Sequence, residues 1–185
     1  MNNFPYKLLY AREQISARVR EMGKEIDKWC KDVQNETKKD VLAVPLLQGG
    51  IFIFADLIRE IDSSIEFAMA ATTAYQIGDN GLPSARNVEV SIDDVSPKDR
   101  SVLIIDDICD SGRTLKAVCS AVREKGARDV RSAVLIKRNI PEVADNFTPD
   151  YIGFHHAGTE WFVGYGLDDD ANRYRNLPYV GMVRP

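Results

Sequence analysis

The sequence predicts an α/β fold in which helices flank a mainly parallel central sheet. First, residues 41–47 and 101–105 form continuous apolar runs, which are typical of strands buried on both faces. Second, segments whose apolar residues have helical spacing alternate with these runs. Third, the length of 185 residues favours one domain over 1–185, with a small hood built from the chain ends.

The first half of the chain opens with an amphipathic helix. Its apolar residues recur at alternating steps of four and three positions: Ile15, Val19, Met22, Ile26 and Trp29. The buried strand at 41–47 follows, and residues 48–50 then turn the chain. After this turn we expect a helix over 52–61 and a second strand over 65–74.

The second half predicts a hairpin followed by further strand and helix units. Residues 78–87 have loop composition, with two glycines and one proline. Together with an alternating strand at 88–92, they predict a long hairpin with a mobile tip. The remaining elements are strands at 101–105, 130–137 and 151–154, and a helix over 114–125 that ends at Gly126.

Composition and charge narrow the class of protein. A net charge of −4 at pH 7 argues against non-specific binding to nucleic acid. The three cysteines form no CxxC pair and indicate reduced thiols in a cytosolic protein. The start of the chain lacks a signal-peptide core, and polar residues interrupt the most apolar stretch, 42–58. We therefore expect a cytoplasmic protein that binds neither nucleic acid nor a membrane.

The segment 101–115, SVLIIDDICDSGRTL, carries the strongest chemical signal. A buried strand leads to Asp106 and Asp107, a turn containing Gly112 follows, and a helix begins. Backbone amides at such a turn and helix N-terminus bind anions, and the hydroxyls of Ser111 and Thr114 add donors. Because carboxylates repel phosphate, the acidic pair should face ribose hydroxyls or a metal ion.

A simpler interpretation is that Asp110 or Ser111 only caps the helix. The complete run, including the hydrophobic strand, favours a phosphate cradle instead. The segment matches neither GxxxxGK[ST] nor GxGxxG, so the usual nucleotide-binding loops do not explain it.

DDICDSGRTL resembles the phosphoribosyl-pyrophosphate (PRPP) signature of type I phosphoribosyltransferases. The stretch 137–183 resembles the hypoxanthine-guanine phosphoribosyltransferase branch more narrowly, with PDYIGF, WFVGYGLD and YRNLPYVG in the family's order. The opening helix and PLLQGGIFIFADLI also match, so the resemblance covers nearly the whole chain. It implies the type I phosphoribosyltransferase fold.

The resemblance also implies a role for each matching residue. Asp106 and Asp107 would hold the ribose hydroxyls of PRPP, and the 5'-phosphate would lie on Asp110, Ser111, Gly112, Arg113 and Thr114. Asp110 would also be the catalytic base near purine N7. Pyrophosphate would be bound by Gln48, Gly49 and Arg175, and Mg²⁺ by Asp168 together with the two ribose-binding aspartates.

The purine would be recognised by Lys137, Trp161 and Phe162, and Tyr75 would begin a mobile catalytic loop. A lysine donor selects a carbonyl over an amino group, and hence 6-oxopurines over adenine. Without the family, a lone lysine at a strand end is usually solvated and a lone tryptophan usually packs in a core. His155 and His156 should point to opposite faces of a strand, so we interpret them as structural.

The implied activity is transfer of a 5-phosphoribosyl group from PRPP to hypoxanthine or guanine, in a Mg²⁺-dependent homodimer or homotetramer. One alternative is an enzyme with xanthine-preferring or relaxed base specificity. Another is a non-catalytic regulator that senses PRPP or a nucleotide on the same fold. Such regulators generally add a nucleic-acid-binding surface, and the chain shows neither an appended domain nor a basic stripe.

The chain departs from the family's pattern at four places. Gln48 stands where the family usually has lysine, so one cation beside pyrophosphate is missing. Ala74, and not serine, precedes Tyr75, and one extra residue separates Asp168 from Arg175. A Trp-Phe pair at 161–162 replaces a common Phe-Val pair, which would tighten the purine pocket.

Overall fold

A computed structural model of the chain describes residues 6–73, 76–77, 83–84, 89–92, 96–139 and 147–183. Its helices are α1 (Arg12–Thr37), α2 (Gly50–Leu57) and α3 (Arg113–Glu124). Its strands are β1 (Tyr6–Tyr10), β2 (Val41–Pro45), β3 (Ile65–Phe67), β4 (Ala70–Thr73), β5 (Gln76–Ile77), β6 (Pro83–Ser84), β7 (Glu89–Ile92), β8 (Ser101–Cys109), β9 (Asp129–Arg138), β10 (Tyr151–His156), β11 (Phe162–Val163) and β12 (Val180–Val183).

A five-stranded parallel sheet forms the centre, in the order β10-β9-β8-β2-β3. This confirms the predicted α/β class. The middle strand β8 is longer than the predicted 101–105, because β9 continues to pair with it as far as Cys109 and Lys137. The acidic pair at 106–107 therefore lies on the end of the strand and not in the loop that follows.

Helices cover both faces of this sheet. The predicted apolar stripe of α1 is buried, and it packs with α2 against alternate strand residues such as Leu103 and Ile105. On the other face, α3 packs against Val102 and Ile104. The predicted helix at 52–61 begins earlier, at Gly50, and ends in one 3-10 turn at Ile58–Glu60. Within the described ranges, every helix is too short or too polar to cross a lipid bilayer.

The strand predicted at 65–74 is wrong as a single element. β3 pairs with β2 only as far as Phe67, which lies opposite Ala43. After β3 the chain leaves the sheet, and β4 pairs antiparallel with β7, with Ala70 opposite Ile92 and Thr73 opposite Glu89. This pairing confirms the hairpin, while most of its tip and Tyr75 lie outside the described residues.

The two ends of the chain form a separate small antiparallel sheet in the order β1-β12-β11. The predicted hood is therefore confirmed. It packs on the first core cluster through Phe162, Val180 and the partly buried Tyr10, whose ring stacks on Phe154 at a centroid distance of 4.0 Å.

Asp27, on the buried side of α1, connects this helix to the loop before β3. Its carboxylate forms an ion pair with Lys31 and accepts hydrogen bonds from the Ser63 amide (2.9 Å) and hydroxyl (2.7 Å). These contacts lower the pKa of Asp27 to about 2, with Lys31 contributing most. The lowered pKa means that the folded state favours the ionised carboxylate.

We expect Asp27→Asn to reduce the free energy of unfolding by at most about 2 kcal/mol at neutral pH. Because the folded pKa lies below that of the unfolded chain, this contribution is complete above about pH 4 and disappears towards pH 2. Urea unfolding across this pH range measures the difference between the two proteins. Asp32→Asn, an exposed change on the same helix, is the control. A difference that stays constant from neutral pH to pH 2 would contradict the assignment.

Candidate active site

The predicted phosphate-binding segment lines a cleft of about 490 Å³ at the carboxyl end of the sheet. Its walls are formed by Leu46 and Leu47 after β2, and by residues 106–112, 114 and 115 from the end of β8 to the start of α3. In open parallel sheets, ligands bind in this position, beyond the carboxyl ends of the strands.

The ionised form of the acidic pair at the end of β8 is disfavoured by its surroundings. Burial raises the pKa of Asp106 well above its usual range, and the neighbouring charge of Asp107 adds to this effect. Burial also raises the pKa of Asp107, while the charge of Arg175 acts in the opposite direction. Two adjacent carboxylates, of which Asp107 is buried and Asp106 partly buried, favour a ligand with hydroxyl donors or a cation.

The turn after β2 approaches this pair closely. A Cβ atom at Gly49 would lie 1.7 Å from Oδ2 of Asp107, so a side chain there would displace the carboxylate. On its other side the same position faces the backbone oxygen of Gly166, at 3.2 Å. The Leu47–Gln48 peptide is cis, and the Gln48 side chain is exposed. Gly49 therefore lies between the acidic pair and the loop after β11.

The turn from β8 into α3 has the backbone of a phosphate cradle. Gly112 has a φ of 81°, in the left-handed region that favours glycine, and α3 begins directly after it. The hydroxyl of Ser111 accepts a hydrogen bond from the amide of Arg113 at 3.3 Å. The first turn of a helix leaves amides without intrahelical partners, and Thr114 is exposed there. An anion in the cleft can use these donors.

Two basic residues at the end of β9, Lys137 and Arg138, contact Asp110. The buried Lys137 donates from Nζ to the backbone oxygens of Asp110 (2.7 Å) and Cys109 (3.4 Å). Because an ammonium group has three N–H donors, one remains for a ligand. The next residue, Arg138, places Nε 3.4 Å from Oδ1 of Asp110.

A chain of contacts connects Trp161 to the turn after β2. The indole Nε1 donates to the backbone oxygen of Asp168 at 2.7 Å, and the ring is 52% exposed. The Asp168 carboxylate lies 2.7 Å from Nη2 of Arg175, whose Nη1 donates to the backbone oxygen of Gly166. Since Gly166 faces Gly49, this chain of contacts reaches the turn after β2.

The segment between Asp168 and Arg175, where the sequence predicts one extra residue, folds into a tight turn. Asp169 binds the Arg173 side chain, with Oδ2 to Nη2 at 2.7 Å, and Asn172 and Tyr174 adopt positive φ angles of 57° and 74°. The turn brings Arg175 back to Asp168.

Phe162 occupies a different position from the other predicted purine-binding residues. Its side chain is 3% exposed and packs in the core under the guanidinium of Arg138, not on an open surface. The reason is that β11 pairs with β12 and turns this residue inward. His156 packs edge-on against Phe162 and lies 3.0 Å from Glu160, as expected for a structural histidine.

Comparison with known proteins identifies the family. The family model of the phosphoribosyl transferase domain matches residues 14–170. The hypoxanthine-guanine phosphoribosyltransferase of Bacillus subtilis is 34% identical over 180 residues, covering 97% of this chain and 93% of that protein. The chain belongs to the phosphoribosyltransferase family, in its hypoxanthine-guanine branch.

A longer relative and a solved structure of similar length support the same family membership. The bifunctional protein TilS/HprT of Listeria innocua is 34% identical over the whole of this chain, which spans 27% of that longer protein. Among solved structures, a hypoxanthine phosphoribosyltransferase from Staphylococcus aureus superposes with a TM-score of 0.81 at 28% identity, covering 97% of this chain and 91% of the other.

The phosphoribosyltransferase site contains two residues that the sequence did not indicate. Arg138 follows Lys137 directly, and this basic pair at a strand end was the available signal. The close approach of Gly166 to Gly49 has no local signal, because the two residues meet only through the tertiary fold. Among the described residues, no group of three or more His, Cys, Asp or Glu side chains converges as a preformed metal cluster.

Proposed function

We propose that this phosphoribosyltransferase transfers the 5-phosphoribosyl group of PRPP to a 6-oxopurine, hypoxanthine or guanine, giving IMP or GMP and pyrophosphate. The observation that carries the proposal is the placement of two carboxylates, one buried and one partly buried, directly before a glycine turn and helix N-terminus, in one cleft. The hydroxyls of ribose and the adjacent 5'-phosphate of PRPP supply the two kinds of group that such a cleft favours.

Different residues of the cleft bind the ribose and the 5'-phosphate of PRPP. Asp106 and Asp107 accept hydrogen bonds from the ribose hydroxyls, and the 5'-phosphate lies on residues 110–114. In the reaction, the bond from C1 of ribose to pyrophosphate breaks and a bond to a purine nitrogen forms. Negative charge develops on the leaving pyrophosphate, and Arg175 with the amides near Gln48 and Gly49 stabilises it.

The base is recognised on the other side of Asp110. Lys137 uses its remaining N–H to donate to O6, while the half-exposed Trp161 offers a flat surface for stacking. Asp110 accepts the purine proton near N7. Its carboxylate is 49% exposed at the edge of the cleft, so the purine can reach it. For Phe162 we propose support of Arg138 from the core and not direct contact with the base.

Magnesium fits the chemistry of these side chains. Mg²⁺ prefers carboxylate and phosphate oxygens, and Asp106, Asp107 and Asp168 provide the carboxylates. Burial, together with the neighbouring charge of Asp107, raises the pKa of Asp106, and a bound cation favours the ionised carboxylate that these two effects disfavour. When bound, Mg²⁺ neutralises the charge of pyrophosphate. Because Asp168 is paired with Arg175, we expect the ion to bind mainly as a complex with PRPP.

The remaining proposals concern the whole protein. We propose a single phosphoribosyltransferase domain over 1–185 that forms a homodimer or homotetramer, as the family resemblance implies. A cytoplasmic location is supported by three buried, unpaired cysteines at 30, 109 and 119. Burial raises the pKa of Cys30 to about 12 and that of Cys119 to about 11, so both thiols are unreactive.

The proposed specificity is tested by supplying Mg-PRPP with hypoxanthine, guanine, xanthine or adenine and following the absorbance change. We expect hypoxanthine or guanine to be converted and adenine to be left. Faster conversion of xanthine than of either would replace the proposal by the xanthine-preferring alternative. Conversion of none would contradict it.

The exposed Gln48 leads to a prediction about pyrophosphate. A lysine at this position would add a positive charge beside pyrophosphate, whereas glutamine offers only a neutral donor. We expect Gln48→Lys to tighten pyrophosphate inhibition by up to about tenfold, or about 1.4 kcal/mol. The gain should shrink as salt is raised, because an exposed charge is screened.

The inhibition constants of both proteins at low and high ionic strength measure this effect. Asn35→Lys, on the exposed part of α1, adds the same charge away from the cleft and is the control. Unchanged inhibition at both salt concentrations would show that the loop amides provide all of the binding at this position.

A further inference from the structure

We propose that Arg138 is a positioning residue that orients the carboxylate of Asp110, an inference that rests on the proposed role of Asp110 at purine N7. Arg138 is the last residue of β9 and is only 8% exposed. Its Nε lies 3.4 Å from Oδ1 of Asp110, whose side chain is 49% exposed. A buried cation thus adjoins the half-exposed carboxylate to which we assign the proton transfer.

The guanidinium of Arg138 is fixed by groups other than Asp110. Its Nη2 donates to the backbone oxygen of Glu160. Its central carbon lies 4.4 Å from the ring centroid of Phe162, over the aromatic face. The edge of His156 packs against the same ring at a centroid distance of 4.9 Å. These contacts hold the guanidinium in one place, so the carboxylate is the partner that moves.

The Nε–H group of Arg138 is left without an acceptor. It is buried and has no hydrogen-bond partner among the residues that the structure describes. Buried donors in folded proteins are nearly always paired, and an unpaired one is unfavourable. Oδ1 of Asp110 lies 3.4 Å from it, at ion-pair distance but without hydrogen-bond geometry. A small rotation of the Asp110 side chain supplies the missing acceptor.

This rotation has a consequence for the reaction. With Oδ1 held by Arg138, the other carboxylate oxygen is directed away from the guanidinium and towards the base. Lys137 holds the backbone oxygen of Asp110 at the same time. Lys137 and Arg138, two consecutive residues of β9, therefore hold the backbone and the side chain of Asp110, respectively. Since Arg138 also binds Glu160, directly before Trp161, the orientation depends on the segment that carries the stacking ring.

A double-mutant cycle tests the inference. Arg138→Gln, Asp110→Asn and the double variant are compared for kcat, for KM of PRPP and of hypoxanthine, and for Tm. We expect Arg138→Gln to lower kcat by about ten- to a hundredfold, the range for a misplaced catalytic group, with KM for PRPP changed less than about threefold. In the Asp110→Asn background the same change should lower kcat by less than about threefold, because the carboxylate is absent.

Arg100→Gln is the matched control. Arg100 is also a nearly buried arginine with an unpaired Nε, but it pairs with Glu66 at the opposite end of the sheet. It should lower Tm without lowering kcat. If Arg138→Gln does not fold, Arg138→Lys in both backgrounds carries the comparison: a smaller loss of kcat that disappears with Asp110→Asn supports the inference.

Two results would overturn the inference while leaving the role of Asp110 intact. One is an equal loss of kcat from the Arg138 change in both backgrounds, which would mean a structural role. The other is a loss confined to KM or Tm. A third result is wild-type turnover in Asp110→Asn, which would remove Asp110 from the mechanism and the inference with it.

Discussion

We expect Asp110→Asn to lower kcat by about a hundred- to ten-thousandfold, the contribution typical of a general acid or base. Asparagine keeps the shape of the side chain but cannot accept a proton. The phosphate cradle should stay in place, because Lys137 binds the backbone oxygen of Asp110 and not its carboxylate. KM for PRPP should therefore change little. Steady-state kinetics with each substrate varied in turn measures both quantities.

Asp129→Asn is a closely matched control for this experiment. Asp129 lies at the opposite end of the sheet, is 45% exposed and pairs with Arg131 at 3.5 Å, much as Asp110 pairs with Arg138. It should leave kcat unchanged. A turnover of Asp110→Asn within twofold of wild type would exclude Asp110 as the catalytic base.

The second large effect is expected for Lys137→Met, which roughly keeps side-chain volume but removes the donor to O6. A hydrogen bond to a charged group is worth about 1.5–3 kcal/mol, so kcat/KM for hypoxanthine and guanine should fall by about ten- to a hundredfold or slightly more. Adenine has no O6, so its low rate should change far less. Rates with all three bases measure the difference.

Replacing Lys137 also removes two contacts within the protein, and the same experiment tests their effect. Lys137 also binds the backbone of Cys109 and Asp110, so its loss can loosen the wall of the cleft. Loosening would lower the rates for all bases and raise KM for PRPP. Equal losses for every base would thus show a structural role and contradict base recognition. Lys39→Met, where an exposed lysine donates to the backbone of Asp99 at 3.3 Å, is the control.

The sheet and the strand, turn and helix start of 101–115 could be predicted because both are encoded locally. The apolar runs at 41–47 and 101–105 reflect burial on two faces, and 101–115 contains strand, turn and helix start in one stretch. The break in 65–74 could not be predicted from its own residues. It depends on a change of partner strand, from β2 for the first part to β7 for the second, which is a property of the tertiary fold.

Contacts between distant segments were the least predictable part of the site. The sequence indicated Lys137 and Trp161 as separate candidates, but their backbone partners emerge only when β8, β9 and the loop at 161–175 meet. The role proposed for Arg138 has the same origin, since its neighbours come from two distant segments, Asp110 after β8 and the stretch from Glu160 to Phe162. The burial of Phe162 likewise follows from the pairing of β11 with β12, which no local pattern shows.

The most direct test of the central claim is the stoichiometry of the reaction over many turnovers. Enzyme is mixed with excess Mg-PRPP and hypoxanthine, and the base consumed, nucleotide formed and pyrophosphate released are measured from the same samples. We predict equal amounts of all three, in large excess over enzyme. Binding of PRPP without pyrophosphate release would contradict phosphoribosyl transfer and indicate a sensor on this fold, while pyrophosphate release without nucleotide would indicate hydrolysis.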